Sequence, residues 1–376
     1  MTTVVFFVSG HGFGHASREV EVMNALGARL GGDLRLIIRS AVGPSLLART
    51  LKVSYELRPG LCDTGIIQTN SVTHDDHATI AAAQDFYGSF DARVATEADA
   101  LAGDNVSAIV ADASPLGLAV AARLGVPSVF IGNFTWDWIY DGHAGFAAAA
   151  PEVIATIRRA HALATLTLKL PLSPSFDGTG LTHVQPLPLI ARRSTHTRAD
   201  TRAHFRLPQS RKLALLSFGG YGLHELDLAG VDCAAEWDLV ATDRSMSDSR
   251  LSTLPYVHVL SETALSSQEY RYEDLVAAAD AVITKPGFGI IGECATAGTP
   301  MVYTSRGDFR EYDILVAEMP RVLRCAFISQ ADLFGGRWLI ALNSALSQPA
   351  PNVRLEPNGA DVAAAHIARL AQTVSR

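Results

Sequence analysis

The sequence predicts an α/β protein made of two Rossmann-like domains, each with a parallel sheet. Three observations carry that reading. Short apolar, β-rich runs alternate with helix-period stretches along most of the chain. The alternation breaks once, in a Pro- and Arg-rich stretch over 171–211, and then restarts at Leu213. A length of 376 residues suits two domains, at roughly 100–200 residues each.

The expected strands are 3–8, 34–39, 53–57, 107–111, 127–131, 213–217, 237–241, 256–260, 280–284 and 300–304. Helix-period segments lie between them at 15–30, 78–102, 115–124, 272–279 and 289–298. Strands of this apolar kind, alternating with helices, form parallel sheets covered on both faces. An interdomain linker is expected near 186–192. The first domain then covers 1–187 and the second 188–358, with Arg192, Arg193, Arg198, Arg202 and Arg206 near its start. A last helix within 359–376 is expected to pack back on the first domain.

Lys plus Arg number 31 against 38 Asp plus Glu, a net charge of −7. With no basic run, this argues against a nucleic-acid partner. Four scattered cysteines offer no zinc-ligand spacing and read as reduced thiols of a cytoplasmic protein, with no metal expected. The apolar run 3–8 has no basic segment before it, so it reads as a strand rather than a signal peptide. No apolar run is long enough to span a membrane. Nothing bears on oligomeric state.

Ligands of open α/β sheets sit beyond the carboxyl ends of the strands, so the loops there carry the chemistry. The first, Ser9-Gly10-His11-Gly12-Phe13-Gly14-His15-Ala16-Ser17-Arg18, puts three glycines before a helix. Its backbone can approach a ligand closely, and the helix N-terminus favours an anion such as phosphate. It is neither GxGxxG nor a P-loop. Gly12 and Gly14 are candidates for donor binding. His15, at the helix start, is the first candidate base and His11 the second.

A second glycine loop follows strand 280–284: Lys285-Pro286-Gly287-Phe288-Gly289, then Glu293 in the helix. The turn amides suit phosphates, and Glu293 could accept ribose hydroxyls. A third, with Gly219 and Gly220, follows strand 213–217. Two Rossmann domains with phosphate-binding loops facing a central cleft describe the GT-B fold of nucleotide-sugar glycosyltransferases.

The motifs SGHGFGHASR (Ser9–Arg18), IGNFTWDWIY (Ile131–Tyr140), SFGG (Ser217–Gly220) and KPGFG (Lys285–Gly289) are recognisable. On them the chain resembles the glycosyltransferase-like N-terminal half of L-arabinokinases over nearly its whole length. More distantly it is similar to the family of the lipid-linked N-acetylglucosamine transferase of peptidoglycan synthesis, through G-x₅-E-x₃-AG-x-P at Gly287–Pro300. That resemblance implies that Gly14 and His15 lie near donor phosphate and acceptor, and that Glu293 binds ribose. It implies no sugar phosphorylation, because a sugar-kinase ATP loop is not found in the sequence. Retaining GT-B enzymes often carry a second glutamate eight positions before the first. Here that position is Lys285, one of only four lysines, which favours the inverting subclass. Lys285 would then neutralise the leaving diphosphate. Asp308, Arg310 and Glu311 fall where such enzymes bind donor-sugar hydroxyls.

Asp112, directly after strand 107–111, could orient the base or cap the helix at 115. Asn133, Trp136 and Asp137 follow strand 127–131 and could form an acceptor platform, or part of an aromatic core. Asp63-Thr64-Gly65 is a weaker loop candidate. The expected function is metal-independent, inverting transfer of a hexose or pentose from a nucleoside diphosphate sugar, with UDP as the expected nucleotide, to a small-molecule acceptor. No cofactor is expected beyond the donor. The alternatives are a nucleotide-sugar hydrolase or 2-epimerase, and a non-catalytic nucleotide-sugar-binding module.

Overall fold

The computed structural model describes residues 1–69, 73–218, 226, 228–242, 254–261, 264–266, 269–307 and 309–373. The chain divides into two compact units. One comprises Met1–Ile67, His74–Ile190 and Glu356–Arg376, the other Gln68–Thr73 and Ala191–Leu355.

The sheet of the first unit contains β1 (Thr2–Val8), β2 (Leu34–Ser40), β3 (Tyr55–Pro59), β4 (Val106–Asp112), β5 (Ser128–Gly132), β6 (Leu166–Lys169) and β7 (Val184–Pro186). Their order is β3-β2-β1-β4-β5-β6-β7, with every pairing parallel. Strand β1 is buried at all its positions, as a central strand covered on both faces must be. The winding direction reverses between β1 and β4, where Val8 stands opposite Asp112. That topological switch point opens a crevice at the carboxyl ends of both strands.

The helix Phe13–Leu30 follows β1 and shares one core with the C-terminal helix Gly359–Thr373. Val20, Met23 and Leu26 pack with Ala364, Ile367 and Ala371 over Val4, Phe6 and Val8. Gly359 allows this return. Its amide donates to the Leu189 carbonyl at 3.0 Å, and a Cβ there would stand 2.1 Å from the Pro188 carbonyl oxygen.

Two expectations need correction. The segment 78–102 is not one helix but two, Asp76–Gly88 and Phe90–Leu101. The break falls at Gly88-Ser89, where glycine is a poor helix former and Ser89 leaves helical geometry (φ −108°, ψ 18°). The bend lets Phe86 and Tyr87 on one helix and Phe90 and Val94 on the next all be buried. Strands β6 and β7 were not expected. They have four and three residues, and β7 is exposed and ends on Pro186, which only an edge position tolerates.

The second unit contains β8 (Lys212–Ser217), β9 (Trp237–Thr242), β10 (Val257–Leu260), β11 (Ala281–Thr284), β12 (Met301–Tyr303) and β13 (Cys325–Phe327). Their order is β10-β9-β8-β11-β12-β13, again all parallel. Strand β13 was also not expected, being only three residues long. Here the switch point lies between β8 and β11, with Ser217 opposite Thr284. Trp237, Ile283, Val302, Trp338 and Leu342 form its core. Two arginines of the basic stretch after the linker are structural. Arg198 and Arg202 both donate to the Asp280 carboxylate at 2.7 Å, and Arg202 also reaches the Ala278 carbonyl at 3.0 Å. Among the described residues no helix is long and apolar enough to cross a membrane.

Candidate functional site

At the switch point of the first unit, the loop after β1 delivers His15 to Asp112. His15 lies in the first turn of the helix Phe13–Leu30, which starts after Gly12 at φ 76°. Asp112 ends β4 and is fully buried. The His15 Nδ1 lies 2.9 Å from Asp112 Oδ2 and 3.1 Å from Oδ1. An ionised carboxylate only accepts, so Nδ1 carries the proton that faces Asp112, and in the neutral imidazole Nε2 holds the lone pair. The structure decides one alternative left open above, because the residue before the helix Pro115–Leu124 is Ser114, not Asp112. Ser114 instead donates through Oγ to the Cys62 carbonyl at 2.8 Å.

Arg18 lies one turn beyond His15 and binds the same carboxylate. Its other nitrogens donate to Asn133 Oδ1 at 2.7 Å and Glu19 Oε1 at 3.3 Å. Asn133 passes the network on, donating to the Pro171 carbonyl at 2.9 Å. Burial opposes the charge on Asp112, but His15 and Arg18 outweigh it and hold its carboxyl below the usual range. Glu19 behaves oppositely. Its complete burial, with the Asp112 charge beside it, pushes it up to about 8. At neutral pH Glu19 is therefore mostly protonated, and the Arg18 cation faces chiefly the Asp112 anion.

Asp63 joins from the loop after β3. It accepts from Ser9 Oγ at 3.0 Å, and burial, partly offset by His15, pushes it up to about 6. The next turn has Gly65 at φ 61°, packed so closely that a Cβ would stand 2.5 Å from His11 Nδ1. His11 also meets the edge of Trp136, with ring centroids 5.4 Å apart.

Trp136 is buried, stacked near His15 at 6.2 Å and on Tyr140 at 5.9 Å. It is a wall behind the two histidines. Asn133 is drawn into the Arg18 network. Asp137 goes elsewhere: it is buried, and Arg158 donates to its Oδ2 at 2.8 Å. The chemistry therefore gathers on His15, His11, Asp112 and Asn133, joined by Arg18, Glu19 and Asp63. Arg18 and Glu19 were not singled out as site residues. The available signal was their helical spacing, three and four residues after His15, which puts all three on one face.

In the second unit, Lys285, Pro286 and Gly287 connect β11 to the helix Phe288–Ala297. The first amides of a helix lack intrahelical partners, so Phe288 and Gly289 present an anion-binding end. Lys285 is partly buried, and burial with the neighbouring Arg306 charge lowers it to about 7. Arg306 donates to Glu311 Oε1 at 2.8 Å. Arg310 immediately precedes the helix Glu311–Val322. Gly219, Gly220 and Asp308 lie outside the described residues.

Glu293 is the sixth residue of its helix, too far along to act as a first-turn acid. It is buried and engaged: Arg192 reaches Oε1 through Nε at 2.7 Å and through a terminal nitrogen at 2.5 Å. Arg192 also lies 3.6 Å from Glu273 and faces the Tyr272 ring at 5.8 Å. Any ribose hydroxyl must share this carboxylate with Arg192. Sequence reasoning missed the pair because the two residues are 101 positions apart.

Two doubly wound parallel sheets, each with a glycine-rich loop at its switch point, are the two Rossmann-like halves of the GT-B fold. No protein-family model matches the chain. It is similar to the calicheamicin glycosyltransferase CalG4, with a TM-score of 0.64 and 16% identity over 100% of this chain and 98% of that one. It is also similar to Phytolacca americana UGT2, solved in complex with UDP-2-fluoro-glucose and pterostilbene. There the TM-score is 0.60 and the identity 14%, over 100% of this chain and 95% of that one. In sequence it is 27% identical to an L-arabinokinase of Arabidopsis thaliana over 372 residues, 96% of this chain. The chain spans about a third of that relative's length.

Proposed function

We propose that the protein transfers a sugar from a nucleoside diphosphate sugar, UDP-linked by preference, to a hydroxyl of a small-molecule acceptor with inversion. The observation that carries this reading is the buried His15–Asp112 pair at the switch point of the first sheet. Asp112 holds the imidazole so that Nε2 accepts the acceptor's proton as its oxygen attacks. Arg18 secures Asp112, and Trp136 limits where the ring can swing. A base so positioned is worth about 10²–10⁴-fold in rate.

The donor role falls to the second unit. The helix N-terminus at Phe288 and Gly289 and the cations Lys285 and Arg306 suit a leaving diphosphate, whose charge they neutralise without a metal. Glu293, held by Arg192, suits the ribose. UGT2, solved with a UDP-sugar, and the Polygonum tinctorium UDP-glucosyltransferase, 15% identical with a TM-score of 0.59 over 100% of this chain and 94% of that one, favour UDP among the bases.

A thermal-shift screen of UDP-, GDP- and TDP-sugars tests the donor class. A UDP-specific shift is expected, and no shift with any compound would overturn the reading. His15→Ala should abolish transfer while keeping the UDP shift, whereas unchanged turnover would remove His15 as the base. Incubating the donor alone separates transfer from hydrolysis or epimerisation, because only the latter two consume it without an acceptor.

A further inference from the structure

A second cluster of polar side chains lies in the first unit, and the transfer chemistry does not use it. The run His74-Asp75-Asp76-His77 starts the helix Asp76–Gly88. Asp75 is spent on capping, accepting from the Ala78 amide at 2.9 Å. Asp76 is left to face two imidazoles. Its Oδ1 lies 3.1 Å from His74 Nε2 and 3.0 Å from Nδ1 of His143. His143 comes from the loop after the helix Trp136–Asp141, where its amide closes a turn onto the Tyr140 carbonyl at 3.1 Å. The two rings stand edge to face, 4.7 Å apart at 88°. Both imidazoles are nearly buried, with side-chain exposures of 9% and 4%, while Asp76 keeps 39%.

We propose that His74, Asp76 and His143 bind a late first-row divalent cation, of the Zn²⁺ class. Two imidazoles and a carboxylate are ligand types this ion prefers. Bonds of about 2.0–2.1 Å in a tetrahedron put ligand atoms roughly 3.3 Å apart. Here both nitrogen–oxygen separations are close to that, and the ligand atoms all lie within 4.8 Å of one another. Small ring rotations complete the set. The exposed side of Asp76 provides the entry path and a fourth position for water.

The cation would join the start of one helix to the end of another. The Asp75 amide donates to the Ile67 carbonyl at 2.8 Å, and the Ile67 amide donates to Thr79 Oγ1 at 3.0 Å. The clamp therefore steadies the loop that carries Asp63 and Gly65 against Ser9 and His11. The site does not depend on the transfer reading.

The test uses the whole protein, stripped with chelator, reloaded with Zn²⁺ and desalted. Elemental analysis should find about one Zn²⁺ per chain. Zn²⁺ at a hundredfold excess over its dissociation constant should raise the melting temperature by roughly 3–6 °C. Both effects should vanish in His143→Ala and in Asp76→Asn and persist in His77→Ala. Asp76→Asn conserves shape, so it decides the matter if His143→Ala fails to fold. Wild-type protein that retains no zinc, or Asp76→Asn that retains as much as wild type, would overturn the proposal.

Discussion

Replacing Asp112 with Asn keeps the shape of the site and removes one charge, so it isolates what the carboxylate does for His15. In the native protein the carboxylate accepts from His15 Nδ1 at 2.9 Å and also binds Arg18. An Asn amide NH₂ facing Nδ1 would require a lone pair there. The proton would move to Nε2, the atom needed as acceptor. The expected loss in transfer is the whole general-base effect, about 10²–10⁴-fold or roughly 3–5 kcal/mol of barrier. Stability should fall much less. Removing one partner of a buried ion pair ordinarily costs about 3–5 kcal/mol, because the other charge is stranded. Here Glu19 contacts the stranded Arg18 at 3.3 Å and is held near pKa 8 by burial and then by Asp112 itself. With Asp112 neutral, Glu19 can ionise in its place. Ionising it at pH 7 costs at most about 1.4 kcal/mol, one unit of pKa. We therefore expect a stability loss of about 1–2 kcal/mol in denaturant titrations, alongside a large loss in kcat/KM. Transfer within about threefold of wild type would refute the base assignment. A stability loss beyond about 4 kcal/mol would refute the charge hand-over to Glu19.

The same electrostatics predict other behaviour. A carboxyl whose folded pKa is raised favours the folded state fully only below its ordinary pKa near 4.5, and stability declines as pH rises from there to about 8. Glu19→Gln should therefore flatten that decline, gaining on the order of a few kcal/mol at pH 8 and little at pH 4. Equal pH profiles for the two proteins in denaturant titrations would contradict it. Lys285, lowered to about 7, should take up a proton when a diphosphate binds. UDP affinity should weaken above pH 7, and calorimetry in buffers of different ionisation enthalpy should detect proton uptake that Lys285→Met abolishes. Gly65→Ala puts a side chain at φ 61° and against His11, and should cost about 1–2 kcal/mol and reduce turnover, read by thermal melts and donor consumption.

The fold was largely legible because its signals are local. Runs such as Thr2–Val8 and Ala281–Thr284 are continuous, apolar and bounded by glycine loops, so the strands and the loops that follow them declare themselves. The elements that escaped reading were short or ambiguous. Strands β6, β7 and β13 have four residues or fewer, and the helix pair 76–101 hides its break in one glycine and one serine. Within the site, His15 and Lys285 were visible from their places after strands. Glu19 was passed over because an acid within a helix usually faces solvent, and nothing local shows that this one is wholly buried.

What the sequence determined by itself is the class and the framework: two Rossmann-like units, glycine loops before helices, and the histidines beside them. These depend on residues within a few positions of one another, where periodicity and turn chemistry act. The tertiary structure alone decided which partners those residues meet. Asp112 orients His15 from 97 positions away, Arg192 occupies Glu293 from 101, and His143 meets Asp76 across 67. The physical reason is that parallel strands set side by side in a sheet are distant in sequence. A crevice at a switch point therefore gathers groups whose pairing no local pattern records.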